Sequence, residues 1–220
     1  MIGPIVRSIL IFVLVLGTFG VFVYLSSSAY IANVGEKAIA LLTNFGDSRS
    51  VLALALFVGF AALSVLLGPF TSVVFVPPAI LVWGEFTTFV LLMSGWIAGN
   101  MAAYAIGYYV GYRIVVRLIS KEKIDTWIAS ISKKATFFLA FMFRLALPAE
   151  TGYVFGIVKY DFWKYALIAC LAEIPAAFII VHIGGAFLER SIWKFAVYAA
   201  SGLLLFGIAG YIVKSMRKHT

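Results

Sequence analysis

Charge is scarce in this chain of 220 residues: only 12% are Asp, Glu, Lys or Arg, against about 25% in an ordinary soluble domain. With 64% hydrophobic residues beside that shortage, a soluble globule is excluded. So is intrinsic disorder, because a chain with 20 Phe, 11 Tyr and 5 Trp buries surface at every opportunity. The hydrophobic excess must face lipid. Cysteine is nearly absent too: Cys170 alone allows no internal disulfide and no cysteine metal site. The only histidines, His182 and His219, cannot build a metal site by themselves. No cofactor is expected. Catalytic patterns are missing as well, with no G-x-S-x-G, no H-E-x-x-H and no phosphate-cradling G-x-x-x-x-G-K. Ser94-Gly95 with His182 falls short of an intramembrane serine protease, since Leu92 stands where the G-x-S-G pattern wants glycine. The expectation is a protein that is not an enzyme.

What the chain has instead is long apolar runs. A spanning helix needs about 20 mainly apolar residues, and 9–25, 87–112, 162–185 and 195–213 each supply one. The first has only Arg7 ahead of it and exceeds the roughly 7–15 apolar residues of a signal peptide, so it is expected to remain as an anchor helix. Two further runs are broken. Residues 51–84 carry no charge, but Gly68, Pro69 and the pair Pro77-Pro78 interrupt them, and proline lacks the amide hydrogen a helix needs. In 135–158 the interruptions are Pro148, Gly152 and Gly156. Broken helices at membrane depth persist only when buried in protein or facing water. Both runs therefore read as re-entrant hairpins, with six conventional spans as the alternative.

Orientation follows from counting. Residues 113–134 hold six basic side chains against Glu122 and Asp125, and the tail adds Lys214, Arg217 and Lys218, which places both on the cytoplasmic side. Between 26 and 50 the charges Glu36, Lys37, Asp47 and Arg49 cancel, which suits the outside. Both termini are then cytoplasmic. Short loops and the lack of an N-x-S/T sequon fit a prokaryotic plasma membrane. The expected domains are an N-terminal helix (1–28), a core with the two hairpins (29–188), and a C-terminal helix with a basic tail (189–220).

A repeat is also visible. Ile31, Val34, Ala38, Leu41 and Leu42 share one helical face, as do Ile124, Trp127, Ile128 and Ile131, which predicts two helices lying on the membrane surface. Each precedes a broken hairpin and then a span, over 31–112 in one direction and 124–185 in the other. The fold class is thus all-α integral membrane protein, with an inverted repeat of hairpin plus spanning helix. Inverted repeats with interrupted helices recur in transporters, where substrate passes near the broken tips.

Pro77-Pro78, Gly84, Gly95, Gly99-Asn100, Tyr104, Gly107 and Gly111, then Phe143-Arg144, Pro148, Tyr153, Gly156, Phe162, Tyr165, Pro175 and Gly184, follow in an order and spacing that resembles the DedA superfamily. The likeness is closest to its VTT-domain branch and covers roughly residues 67–187. It implies two oppositely facing re-entrant hairpins and a role in lipid movement, as a scramblase or flippase of phospholipid or polyprenyl-phosphate. Pro77, Pro78, Asn100, Pro148 and Tyr153 are candidate substrate-contacting residues, with packing favoured over substrate contact for Asn100. Proton-dependent relatives carry acidic residues around the first hairpin and a pattern like R-x-x-P-x-x-R in the second. This chain departs from them: 51–84 holds no carboxylate, Asn100 stands where many relatives have Asp, and Glu150 falls where the second arginine would be.

A charged side chain at membrane depth costs about 2.5–3.5 kcal/mol even on the milder scales, so each one needs a reason. Arg144, just before the second break, offers a fork for a phosphate headgroup; the competing reading is an ion pair with Glu150 or Glu173. Glu173, mid-span, is either a proton carrier or that counter-charge, and the second is favoured. Glu150 can reach Arg144 or water. Glu85 is expected to be solvated at the outer mouth of the first hairpin, and His182 to hydrogen-bond a neighbour. Asn100 is expected to bond across helices. Gly95, Gly99, Ala103, Gly107 and Gly111, four residues apart, form a stripe that lets helix backbones approach closely. The expected partners are membrane lipids with anionic phosphate headgroups, not nucleic acid, and a homo-oligomer is compatible with them. An ion- or proton-coupled transporter of a small solute and a non-transporting scaffold are the alternatives to lipid movement.

Overall fold

The computed structural model describes residues 36, 40, 51–67, 72–129, 131, 136–147 and 150–216. The chain divides into two compact units, Met1–Ser48 and Arg49–Thr220. The expected first helix, the face built on Ile31, the Gly68-Pro69 break and Pro148 lie outside the described residues. The helices from Val51 onward belong to the second unit.

Every regular element among the described residues is helical. In order they are α1 (Val51–Leu67), a short 3-10 turn (Ser72–Phe75), α2 (Val76–Tyr109), α3 (Tyr112–Leu118), α4 (Lys121–Ile128), α5 (Phe137–Ala146), α6 (Thr151–Ile157), α7 (Phe162–Leu188) and α8 (Ile192–Met216). Among the described residues three stretches are long and apolar enough to cross a membrane: Ser72–Tyr109, Phe162–Leu188 and Ile192–Val213. Leu81, Phe86, Leu171, Phe178, Leu203 and Leu204 stand exposed along them, as lipid-facing side chains would. At 1.5 Å per residue α5 reaches only about 15 Å, half of a hydrocarbon core about 30 Å thick, so it cannot cross alone.

The prolines and glycines work differently from the sequence-based expectation at two places. Pro77 and Pro78 occupy the first turn of α2, where an amide hydrogen has no helical partner anyway, so they start a helix instead of breaking one. Residues 51–84 hold two helical pieces, as expected, α1 and the 76–83 limb, and a further corner lies at Gly84, whose φ of 79° is open to glycine and strained for side chains with a Cβ; it joins that limb to the long span. Thr88 Oγ1 donates to the Gly84 carbonyl oxygen at 2.8 Å, stitching the corner. Gly111, the last member of the expected stripe, is likewise no packing residue: its φ of 77° turns the chain between α2 and α3.

The remaining stripe serves two neighbours in turn. Methyl groups on Gly95 and Gly99 would come within 2.5 Å of Ala61 Cβ and 2.6 Å of the Ala62 carbonyl oxygen, both on α1. Further along α2 a methyl on Gly107 would overlap the Tyr153 carbonyl of α6, and one on Gly156 of α6 would overlap the Tyr104 carbonyl of α2. Backbone touches backbone at both crossings. Dispersion contacts at this range are what hold helices together in lipid, where hydrophobic association gives little.

The amphipathic helix α4 also departs from expectation. Ile124, Trp127 and Ile131 do not face lipid from a surface-lying helix; they are buried in one cluster with Tyr153, Phe155 and Tyr160. The apolar stripe found its partner inside the protein, which leaves Lys121, Glu122, Lys123 and Asp125 outward. Tyr112 donates to Asp125 Oδ1 at 2.6 Å and ties α3 to α4. This hydrogen bond raises the Tyr112 hydroxyl pKa above its ordinary value, with small further contributions from burial and the Asp125 charge.

Candidate functional site

Four polar side chains converge where α2, α5 and α7 meet. Arg144 ends α5, Glu173 sits mid-way along α7, Asn100 points from α2, and Tyr165 stands two turns before Glu173. Arg144 and Glu173 are each 5% exposed, and Asn100 and Tyr165 are fully buried. Placing the cation in the last turn of α5 is favourable in itself, since the carbonyls of that end carry partial negative charge.

The geometry is a closed network. Arg144 Nη2 forms an ion pair with Glu173 Oε1. Asn100 Nδ2 donates to the same Oε1 at 2.8 Å and to the Trp96 carbonyl at 2.8 Å. Its Oδ1 accepts from Arg144 Nη2 at 3.2 Å and from the Tyr165 hydroxyl at 3.0 Å. An amide has two donors and two lone pairs, so Asn100 is saturated. Aspartate there would turn an acceptor toward Glu173, which is why the amide suits this spot. A methyl on Gly152 would fall 2.7 Å from the Tyr165 hydroxyl, so the bare α-carbon of Gly152 makes room for that group. One donor is left over: among the described residues, Arg144 Nε is buried without a hydrogen-bond partner.

A second, neutral network lies one turn earlier on α2. Trp96 Nε1 donates to Ser72 Oγ at 3.0 Å, and Ser64 Oγ lies 3.2 Å from the same oxygen. Tyr153 reaches across to this side, donating to the Leu66 carbonyl at 2.9 Å and so satisfying one of the orphan acceptors at the end of α1.

Of the residues singled out in the sequence, the structure gathers Arg144, Glu173 and Asn100. Glu173 is the partner of Arg144 and Glu150 is not; Glu150 stands half-buried at the start of α6 without capping it through its side chain. Pro77 and Pro78 lie in the first turn of α2, where Gly184 of α7 leaves room for Val76 and Ile80. Glu85 is exposed, with its carboxylate over Gly185. His182 Nδ1 lies 2.8 Å from the Phe178 carbonyl, and its ring packs on Phe178 and Tyr198. Among the described residues no three His, Cys, Asp or Glu side chains form a metal-binding group. Sequence reasoning gave Tyr165 no role of its own. Its spacing of eight residues from Glu173, two helical turns on one face, was the available signal.

A family model described as the VTT domain matches residues 69–186, more than half of the chain. No curated protein matches, and no solved structure does.

Proposed function

Because this chain belongs to the VTT-domain family, and its long apolar helices make it an integral membrane protein, we propose that it moves a phospholipid or polyprenyl-phosphate between leaflets, as a scramblase or flippase. The observation that carries this reading is the state of Arg144: a guanidinium buried among helices, held on one terminal nitrogen by Glu173 and Asn100, with Nε still unpartnered. A phosphate offers several oxygens in the plane of that fork and can engage Nε together with a terminal nitrogen, which one carboxylate oxygen does not. The headgroup exchanges with Glu173 on the guanidinium, and Asn100 and Tyr165 hold the carboxylate side in place meanwhile. In this reading 51–84 and 135–158 are re-entrant hairpins entering from opposite sides; the shortness of α5 supports that for the second. Movement follows the lipid's own gradient, since Asn100 has no proton to exchange and Glu173 is engaged by two partners.

The test is reconstitution of the purified protein in proteoliposomes with fluorescent phospholipids, scored by the fraction accessible to an external quencher over time. Arg144→Lys keeps the charge and loses the fork, so the rate is expected to fall at least tenfold while the protein still inserts and runs as a single species. A wild-type rate no faster than protein-free liposomes refutes the proposal. Loss of transport on adding a protonophore, abolished in Glu173→Gln, replaces it with the ion-coupled alternative.

A further inference from the structure

The corner between α6 and α7 carries an open groove, walled mainly by aromatic rings, away from the Arg144 fork. A cavity of about 660 Å³ is lined there by Tyr104, Tyr108, Tyr109, Lys159, Tyr160 and Asp161. From these walls we infer that it is a staging site for the headgroup of a zwitterionic, amine-bearing phospholipid: Lys159 takes the phosphate, while Asp161 and the tyrosine faces take the ammonium.

Charge is the first argument. The wall holds one cation and one carboxylate, both exposed, so a ligand that carries one charge of each sign meets both, whereas a purely anionic headgroup brings nothing to Asp161. Asp161 is held in position, because its Oδ1 accepts from the Lys164 amide at 2.9 Å as the cap of α7. Tyrosine rings supply the rest. Tyr104 and Tyr108 stack at 6.0 Å with planes 20° apart, and the Lys159 ammonium already lies 5.8 Å from the Tyr108 ring, showing that this wall accepts a cation.

The backbone at Lys159 comes second, because it makes the side chain separable from the fold. The Lys159 amide bonds to the Gly156 carbonyl and the Tyr160 amide to the Phe155 carbonyl, the paired bonds of a helix end whose turning residue is ordinarily glycine. Lys159 sits there at φ 53°, in the left-handed region that favours glycine. Glycine would make the turn without strain, so Lys159→Gly removes the side chain at no cost to the backbone.

Position is the third. Tyr109 and Trp163, 83% and 78% exposed, mark the adjoining ends of α2 and α7 with the aromatic residues that favour the headgroup level. Tyr104 is a shared wall: it lines the cavity and stacks at 5.1 Å on Tyr165, whose hydroxyl bonds to Asn100 of the buried network. A headgroup held here waits one aromatic layer from Arg144.

This site rests on the lipid-moving proposal for its purpose, yet it is tested without transport. The full chain in detergent is titrated calorimetrically with dihexanoyl phosphatidylethanolamine, dihexanoyl phosphatidylglycerol and soluble phosphoethanolamine. The ethanolamine lipid is expected to bind at least tenfold more tightly than the glycerol lipid. Lys159→Gly is expected to lose at least tenfold in that affinity while its melting temperature stays equal or rises. Arg190→Gly relieves the same kind of strained turn at the end of α7, with φ 54°, and is expected to leave affinity unchanged. Equal binding of the two lipids, or unchanged affinity in Lys159→Gly, overturns the site. Phosphoethanolamine binding as tightly as the lipid overturns the lipid as its ligand. Intact selective binding beside absent transport leaves the site standing and removes the transport reading.

Discussion

Two polar networks sit one helical turn apart on α2 and engage different neighbours. On the side of α1, Trp96, Ser72 and Ser64 exchange neutral hydrogen bonds. On the side of α5 and α7, Asn100 joins an ion pair and a tyrosine. The two touch, since Asn100 also donates to the Trp96 carbonyl. The burial is similar and the chemistry is not. Neutral groups lose little when a partner leaves, whereas a charge left alone at depth keeps its full desolvation cost. The first network is therefore built to stay, and the second holds its partners under a penalty that a competing anion can relieve.

The sharpest way to break this contrast is Arg144→Ala. It leaves Glu173 buried without its counter-charge and should cost about 3–5 kcal/mol, read as a large drop in the thermal midpoint in detergent. Replacing both partners, Arg144→Met with Glu173→Leu, should recover most of that stability while abolishing lipid movement. A double variant that stays as unstable as the single one would show that the network supports the fold beyond its charge. Ser72→Ala tests the neutral side and should cost only about 0.6 kcal/mol, the average for polar contacts between helices in lipid, with transport unchanged. The smallest effect belongs to Lys194→Ala. That residue pairs with Glu189, but the two side chains are 54% and 51% exposed. No measurable shift in the midpoint is expected, and a shift comparable to that of Arg144→Ala would mean that charge alone, and not burial, sets the difference.

The sequence was legible where a residue type has few uses at membrane depth. Arg144, Glu173 and Asn100 stand out because polar groups are expensive there, and the small-residue stripe stands out by its period. The choice between Glu150 and Glu173 was not legible, because it depends on which way the end of α5 points, and six residues of separation or twenty-nine are equally silent on that. Tyr165 stood in the family pattern without a role, since tyrosine is common in apolar helices and its hydroxyl matters only once Asn100 is opposite. The apolar face of α4 was visible, but an amphipathic helix buries that face equally well in lipid or in protein. Pro77-Pro78 and Gly111 show the same limit: the residue marks a helix boundary, and the fold decides whether it opens or closes the element.

The paired glycine crossing of α2 and α6 has a mechanical consequence. With the Gly107 α-carbon against the Tyr153 carbonyl and the Gly156 α-carbon against the Tyr104 carbonyl, each helix carries a notch filled by the other. Sliding along either axis would drive a carbonyl into a neighbouring side chain, so the two move as one rigid lever. Flexing of this part of the fold must then be taken up at joints outside that lock, and the glycine corners at Gly84 and Gly111, each with open space where a Cβ would stand, are the joints the backbone provides.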